Sequence, residues 1–420
     1  MRVVVVGGGT AGAAAARAIA LRGMNVVLLE RGLLADAGAR WVNGVPLWCF
    51  DEGGVPRPVA PELRGPEGRF HLIVGWGPER VVVGDRDTGT VDMRHLVARL
   101  QADARAAGAE LREKVTVRGW VTDGVLDTTA GPVPCDVVVD AAGLGGSDLA
   151  WTPEVSRDDL CAAAQAVHRV ADRAGASAWA AKAGVKEGEF ACFTGIAGGY
   201  SIVNVHWSGD EVGVLTGSVP ADGVPSGKKL LDDFVKDNPW IGERLFGGQR
   251  AVPLRPPQLR LATGRVARIG DAACQVYGAH GSGIGAQMIA AKLLADALAD
   301  GRGPVGYERA WQRRWGGEFA WSALFAAFSR TITVDEIRRL VGAGIISPWT
   351  THATLEQRDP GAPPLREIAG LVRGLARERK VVRKLLPTVG RMVLSRAVWR
   401  VHRPSRVWDE VARWATGGAV

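Results

Sequence analysis

Residues 3–6 are an unbroken run of valines, the pattern of a central parallel strand buried on both faces. An alanine-rich stretch follows and reads as a helix up to Arg22, where Gly23 breaks it. A second strand is expected at 26–29, closed by Glu30. Further on, Met93, Leu96, Val97, Leu100 and Ala104 recur at 3-to-4 spacing, which predicts a helix over 91–107. Strands at 110–120 and 121–128, then a buried strand in CDVVVDAAG, complete the pattern of a doubly wound sheet. A short hairpin at 70–74 and 81–83 interrupts it. Residues 156–175 read as helix. From Phe190 the period shifts to two, with short strands at 190–194, 200–206 and 211–218 that suit an antiparallel sheet. A helix at 227–236 is stopped by Asn238-Pro239, a strand at 266–269 returns to the first sheet, and a long apolar helix runs to Leu298.

Chemistry enters at the first turn. Gly7, Gly9 and Gly12 stand in G-x-G-x-x-G spacing between the first strand and its helix. Gly7 permits the tight turn, Gly9 lets a pyrophosphate approach the backbone, and Gly12 lets helix and strand pack closely. The helix N-terminus offers amides and a partial positive charge, and Glu30 lies at the distance expected of a ribose ligand. The flanking strands, the helix and the acidic residue agree, so the pattern points to a dinucleotide rather than a bare glycine turn. A second stretch, GRVARIGDAACQVYGAHGSGIG, adds Asp271 at a strand end and glycines 281, 283 and 285 opening the long helix. An aspartate there can hold a ribityl or pyrophosphate hydroxyl, and the helix dipole favours an electron-rich ring edge. Two such motifs select FAD over NAD. The loop after Glu30 is long, irregular and aromatic. It either runs beside the flavin with Arg40 near the cofactor or is a surface excursion.

Composition narrows the class. At 420 residues, 47% hydrophobic and 23% charged, the chain suits a protein of two or three units. Its five cysteines are scattered and without C-x-x-C spacing, which argues against a disulfide framework or a metal site and suits a reducing cytoplasm. Met1 leads straight into a strand without signal-peptide features, and no apolar run would span a bilayer, so a cytoplasmic location is expected. The net charge of +8 is uneven: residues 366–420 carry thirteen Lys/Arg against four Asp/Glu. The basicity belongs to the tail, and no nucleic-acid partner is expected. In that tail Ile368, Leu371, Leu375, Val382, Leu385, Val389 and Met392 fall at helical spacing, with Pro387 expected to kink or split the helix. We read the stripe as packing on its own domain with a solvated basic face. The alternative is peripheral contact with an anionic membrane or an acidic partner.

On GGGTAG and GDAACQVYGAHGSGIG the chain resembles the FAD-dependent family of geranylgeranyl reductases, flavin-dependent halogenases and aromatic-ring monooxygenases, over about residues 1–325. The resemblance implies an α/β fold: a Rossmann-like, glutathione-reductase-like FAD domain (1–65, 90–154 and 263–325), an antiparallel substrate sheet (66–89 and 155–262) and a helical basic region (326–420). It assigns Gly7, Gly9, Thr10, Ala11, Gly12, Glu30, Arg31, Arg40, Val117, Asp271, Gly283, Ile284 and Gly285 to the cofactor.

Departures from the family pattern bear on the reaction. DAAGLGGS is similar to the halogenase branch, yet no lysine precedes Lys114, and His71 stands about where the halogenase lysine belongs. The Trp-x-Trp-x-Ile-Pro string of halogenases and the Tyr-x-Trp-x-Phe-Pro string of geranylgeranyl reductases are both absent; GGYSIVNV stands near their place. Halogenation is therefore not expected. The expected activity is oxidoreduction of an apolar or aromatic biosynthetic substrate, carrier- or peptide-borne or free, with electrons from NAD(P)H or a separate flavin reductase. Monooxygenation leads, lipid C–C reduction or dehydrogenation is the rival, and a non-catalytic flavin scaffold is the reading from another class. Tyr277 and His280, in the loop before the long helix, are the candidate catalytic pair, with His280 as an acid or base titrating near neutrality. Trp48, Cys49, His71 and His206 are the candidate substrate contacts.

Overall fold

The computed structural model describes residues 1–66, 68–147, 149–150 and 155–418. A six-stranded sheet carries the first motif, in the order Ala262–Thr263, Val266–Arg268, Val137–Asp140, Arg2–Val6, Asn25–Leu29 and Glu110–Arg112. All neighbours are parallel except the first pair. The valines 3–5 are fully buried because helices or further strands cover both faces. Helix α1 (Thr10–Ala20) packs between this sheet and helix α2 (Ile284–Ala299). Its alanines let both neighbours approach, which explains the composition of the stretch.

A seven-stranded sheet lies beyond, in the order Ile241–Pro253, Leu160–Val170, Glu211–Ser218, Ser201–Ser208, Phe190–Thr194, Phe70–Val74 and Arg80–Val83. It is antiparallel apart from the parallel pair Phe190–Thr194 and Phe70–Val74, so the hairpin expected at 70–83 is the edge of this larger sheet. One face is covered by helices Arg173–Ala183 and Gly227–Asp237, with Val203, Val205, Val212, Val214 and Phe234 between. The opposite face roofs a cavity over the first sheet.

The helix expected at 156–175 is corrected here. Residues Leu160–Val170 form a strand paired on both sides. Its alanines favour helix locally, but tertiary pairing overrides that preference. Helix Gly227–Asp237 presses directly on this strand: a Cβ at Gly227 would lie 2.3 Å from the Ala162 carbonyl oxygen. Only small residues leave room for such contact. Strand Ile241–Pro253 also escaped the sequence, because its polar edge alternates weakly.

Beyond the long helix the chain is helical. Helix α3 spans Pro348–Leu355, α4 Leu365–Arg377, α5 Arg379–Arg400 and α6 Arg406–Thr416. Pro387 does not split its helix, which continues through it; the break falls earlier, at Glu378 between α4 and α5. Among the described residues, no helix is long and apolar enough to cross a membrane.

Candidate active site

The first glycine turn is constrained as its spacing implies. Gly7 has φ +105°, and a Cβ at Gly12 would stand 1.8 Å from the Gly7 carbonyl oxygen, so the helix could not sit there with any other residue. No side chain caps α1, so its first amides face the cleft. Glu30 lies beside the turn, accepting from the Gly8 amide at 2.7 Å and the Gly32 amide at 2.9 Å. Both carboxylate oxygens are thereby fixed and keep lone pairs for hydroxyl donors.

A cavity of about 270 Å³ runs from this turn to the roof sheet. Gly9, Thr10 and Ala11 line one end, and Asp271, Gly283 and Ile284 line the floor. Burial raises the pKa of Asp271, opposed by the Arg250 charge and by a hydrogen bond from Gln287 Nε2 at 3.3 Å. The loop after Glu30 takes part, through Gly38, Ala39, Trp41 and Asn43. Arg250 crosses from the roof strand and donates to the Gly38 carbonyl, tying roof to loop.

These features fit FAD. The turn presents a Cβ-free cradle at Gly9 for phosphate, Glu30 is held for ribose, and Asp271 is a half-buried carboxylate that accepts from Gln287 Nε2. When bound, FAD supplies two-electron redox chemistry at the ring end of the cleft.

Several expected contacts lie elsewhere. Arg31 is exposed, and Arg40 turns outward to the Ala35 carbonyl and Asp36, so it is the loop backbone that meets the cleft. Val117 begins a strand of a small three-stranded sheet, away from the cavity. Gly285 packs on Cys49, where a Cβ would stand 2.4 Å from its Sγ. Cys49 is therefore core, its thiol pKa pushed up by burial. Trp48 stacks on Trp315 at 5.6 Å and donates to the Glu356 carbonyl at 2.9 Å, clamping the C-terminal region. His71 points to the far face of its strand, 3.1 Å from Glu189, because Phe70 takes the cavity side of the pleat. Tyr277 is 1% exposed and packs edge-on to Phe319 at 5.8 Å, so it does not line the cavity. The same pleat sends Ile202, Asn204 and His206 inward and Trp207 outward. His206 stacks on Phe190 at 4.1 Å in an adjoining chamber of about 160 Å³.

His280 does line the cavity. Its environment corrects the sequence reading, because burial lowers its pKa to about 4. At neutral pH it is a neutral imidazole able to hydrogen-bond, not a group poised to titrate. His280→Gln should therefore keep most of the turnover, with no ionisation lost between about pH 6 and 9. The stability effect has a definite sign. The folded pKa is below the ordinary value of 6.5, so the unfolded chain binds more protons between pH 6.5 and about 4. Stability from neutral His280 is complete above pH 6.5 and lost as pH falls through about 4. Melting curves at pH 7 and 4.5 should show a smaller acid-induced drop in His280→Gln than in the parent. Equal drops would show that the ring is not held neutral.

The sequence reading also missed cavity residues. Tyr200 donates from its hydroxyl to the Gly278 carbonyl at 3.1 Å, and burial raises its pKa well above the ordinary value. Phe70 and Phe190 stack with centroids 6.4 Å apart, and Arg86 lies over both rings. Cys161 and Cys192 line the wall as thiols, each pushed up to about 12 by burial. Only the alternation of strand residues signalled these positions, and alternation does not say which face is inward.

Comparisons with known proteins agree with this geometry. The DAO model, FAD dependent oxidoreductase, matches residues 2–51, the first motif and its loop. A digeranylgeranylglycerophospholipid reductase from Methanothrix thermoacetophila is 28% identical over 377 residues, covering 81% of this chain and 90% of that protein. A geranylgeranyl bacteriochlorophyll reductase-like structure from Thermoplasma acidophilum superposes with a TM-score of 0.72 at 16% identity, covering 92% of this chain and 98% of that one. A 2-methyl-3-hydroxypyridine-5-carboxylic acid oxygenase shares the fold at a TM-score of 0.57 and 18% identity, covering 86% and 96%. From the two glycine motifs, the cleft they build and these matches, the chain is similar to FAD-dependent oxidoreductases, and FAD is the cofactor that its cleft takes.

Proposed function

We propose that this enzyme reduces carbon–carbon double bonds of an apolar, prenyl-type lipid. The observation that carries the reading is the match to a digeranylgeranylglycerophospholipid reductase, which extends across both sheets rather than stopping at the nucleotide motif. The roof chemistry supports it. Between the cofactor floor and the sheet lie Phe70, Phe190, Ile202 and Leu215, a wall suited to a hydrocarbon chain. The polar second chamber, with Arg64, Gln165 and His206, adjoins it through Asn43, Asn204 and Leu215 and suits a polar end.

Saturating a double bond adds a hydride to one carbon and a proton to the other. FAD held by the first amides of α1, Glu30 and Asp271 would supply the hydride, with NAD(P)H or a separate flavin reductase as the electron source. We assign the proton to the Tyr200 hydroxyl, held beside the loop that leads into α2. His280 and Ser282 polarise the same wall. Trp41 and the roof aromatics exclude water from the reacting bond.

The stacked Phe70–Phe190 pair also suits a flat aromatic substrate, and favours oxygenation as a second reading. One experiment separates them. The photoreduced holoenzyme is mixed anaerobically with digeranylgeranylglycerophospholipid and the product weighed by mass spectrometry. The expected result is a gain of two hydrogens per double bond. Unchanged lipid with reduced enzyme, together with ¹⁸O incorporation into an aromatic acid under oxygen, would overturn the reductase reading.

A further inference from the structure

The last three helices each leave an apolar row outward; α5 and α6 bury the opposite face, and α4 touches the body of the protein mainly at Gly374. In α5, Val381, Met392, Val398 and Trp399 are buried, while Leu386, Val389 and Val393 stay exposed at i, i+3, i+7 spacing. In α4, Gly374 is pressed against Ala343, the residue that caps helix Val334–Gly342, where a Cβ would stand 2.0 Å from the carbonyl oxygen. Its outer row is Leu365, Ile368 and Val372, at 87%, 39% and 58% exposure. In α6, Trp408, Ala412 and Ala415 pack inward, and Val407, Val411 and Trp414 form the outer row, with Trp414 69% exposed. Single exposed hydrophobics are ordinary on a protein surface, whereas three successive helices that each carry such a row are not. Arg373, Lys380, Arg383, Arg391, Arg400 and Arg413 are exposed on the same helices.

We infer that this region is a docking surface for the anionic face of a lipid bilayer. Charge complementarity selects the occupant. Residues 366–420 hold thirteen Lys/Arg and four Asp/Glu, so a second copy of the chain would bring like charge against like. Apolar rows rimmed by arginine are the composition of helices that lie in a membrane interface. Such a surface accepts rows on several helices without matched shape, as a folded protein partner would not. None of these helices is apolar enough to cross the bilayer, so the chain rests on it. Docking does not depend on the reaction type. It would place lipid near the cavity, since Leu355 at the end of α3 lines that cavity and Glu356 accepts from Thr88 at 2.9 Å and from Trp48.

The test is cosedimentation of the full-length holoenzyme with vesicles. One set is phosphatidylcholine alone, and the other carries about 30% phosphatidylglycerol. The expected result is a pellet with the anionic vesicles only, released when salt rises from about 0.1 to about 0.5 M. L386E/V393E and, separately, R379E/R383E should each weaken partition at least about tenfold with FAD content and circular dichroism unchanged. These are exposed positions outside the cavity, so folding is not at stake. A parent that stays in the supernatant with both vesicle types overturns the proposal and leaves an acidic protein as the occupant. So does a double variant that pellets as the parent does.

Discussion

Gly9→Val should give a folded chain that purifies without FAD. Gly9 stands where α1 begins, with its Cα side facing Gly38: a Cβ there would meet the Gly38 Cα at 3.3 Å. A branched side chain fills the space between turn and loop and keeps a phosphate from the first amides of α1. Those amides are the anion site of the fold. The hydrophobic residues beneath are untouched, so the melting transition should survive while cofactor affinity falls at least about a hundredfold. Gly12→Ala is the contrasting case. Its Cβ collides with the Gly7 carbonyl at 1.8 Å, so the strand–helix contact itself gives way and soluble yield should fall. Heat release and fluorescence of the flavin measure the first, and thermal melting measures the second. A yellow Gly9→Val protein with parental FAD content would mean that the phosphate binds away from this turn.

Tyr200→Phe should lower turnover by about 10²–10⁴-fold, the usual worth of a positioned proton donor. The substitution keeps the ring and its packing and removes only the hydroxyl that donates to Gly278. Burial keeps that phenol protonated, so it stays available to donate to the carbon next to the one that receives hydride. Reduction of the bound flavin by its electron donor does not use this proton and should keep its rate. In deuterated solvent, where the flavin N5–H also exchanges, the parent should place up to two deuteriums per saturated bond and show a slowed proton-transfer step that the variant's residual rate lacks. A variant that loses flavin reduction and lipid reduction together has a misplaced 278–281 loop, and one that keeps parental turnover assigns the proton elsewhere. Either result removes Tyr200 from the role.

The cofactor half of this protein is written locally, and the substrate half is not. Gly7, Gly9, Gly12 and Glu30 lie within one strand–turn–helix–strand unit, where spacing along the chain is spacing in the fold. Asp271 and Gly283 follow the same logic at the start of α2. Sequence alone therefore determined the parallel sheet, the nucleotide cleft and the kind of cofactor. The roof depends on pairings across the chain: Leu160–Val170 is a strand only because two distant strands flank it, and its alanines alone favoured a helix. Pleat direction decided that Phe70 faces the cavity and His71 does not, and a one-residue shift in pairing would exchange them. The bland cores around Cys49 and Tyr277, the lowered pKa of His280, and the place of Tyr200 all depend on burial. Burial is a property of what other segments cover, and no local pattern in the chain contains it.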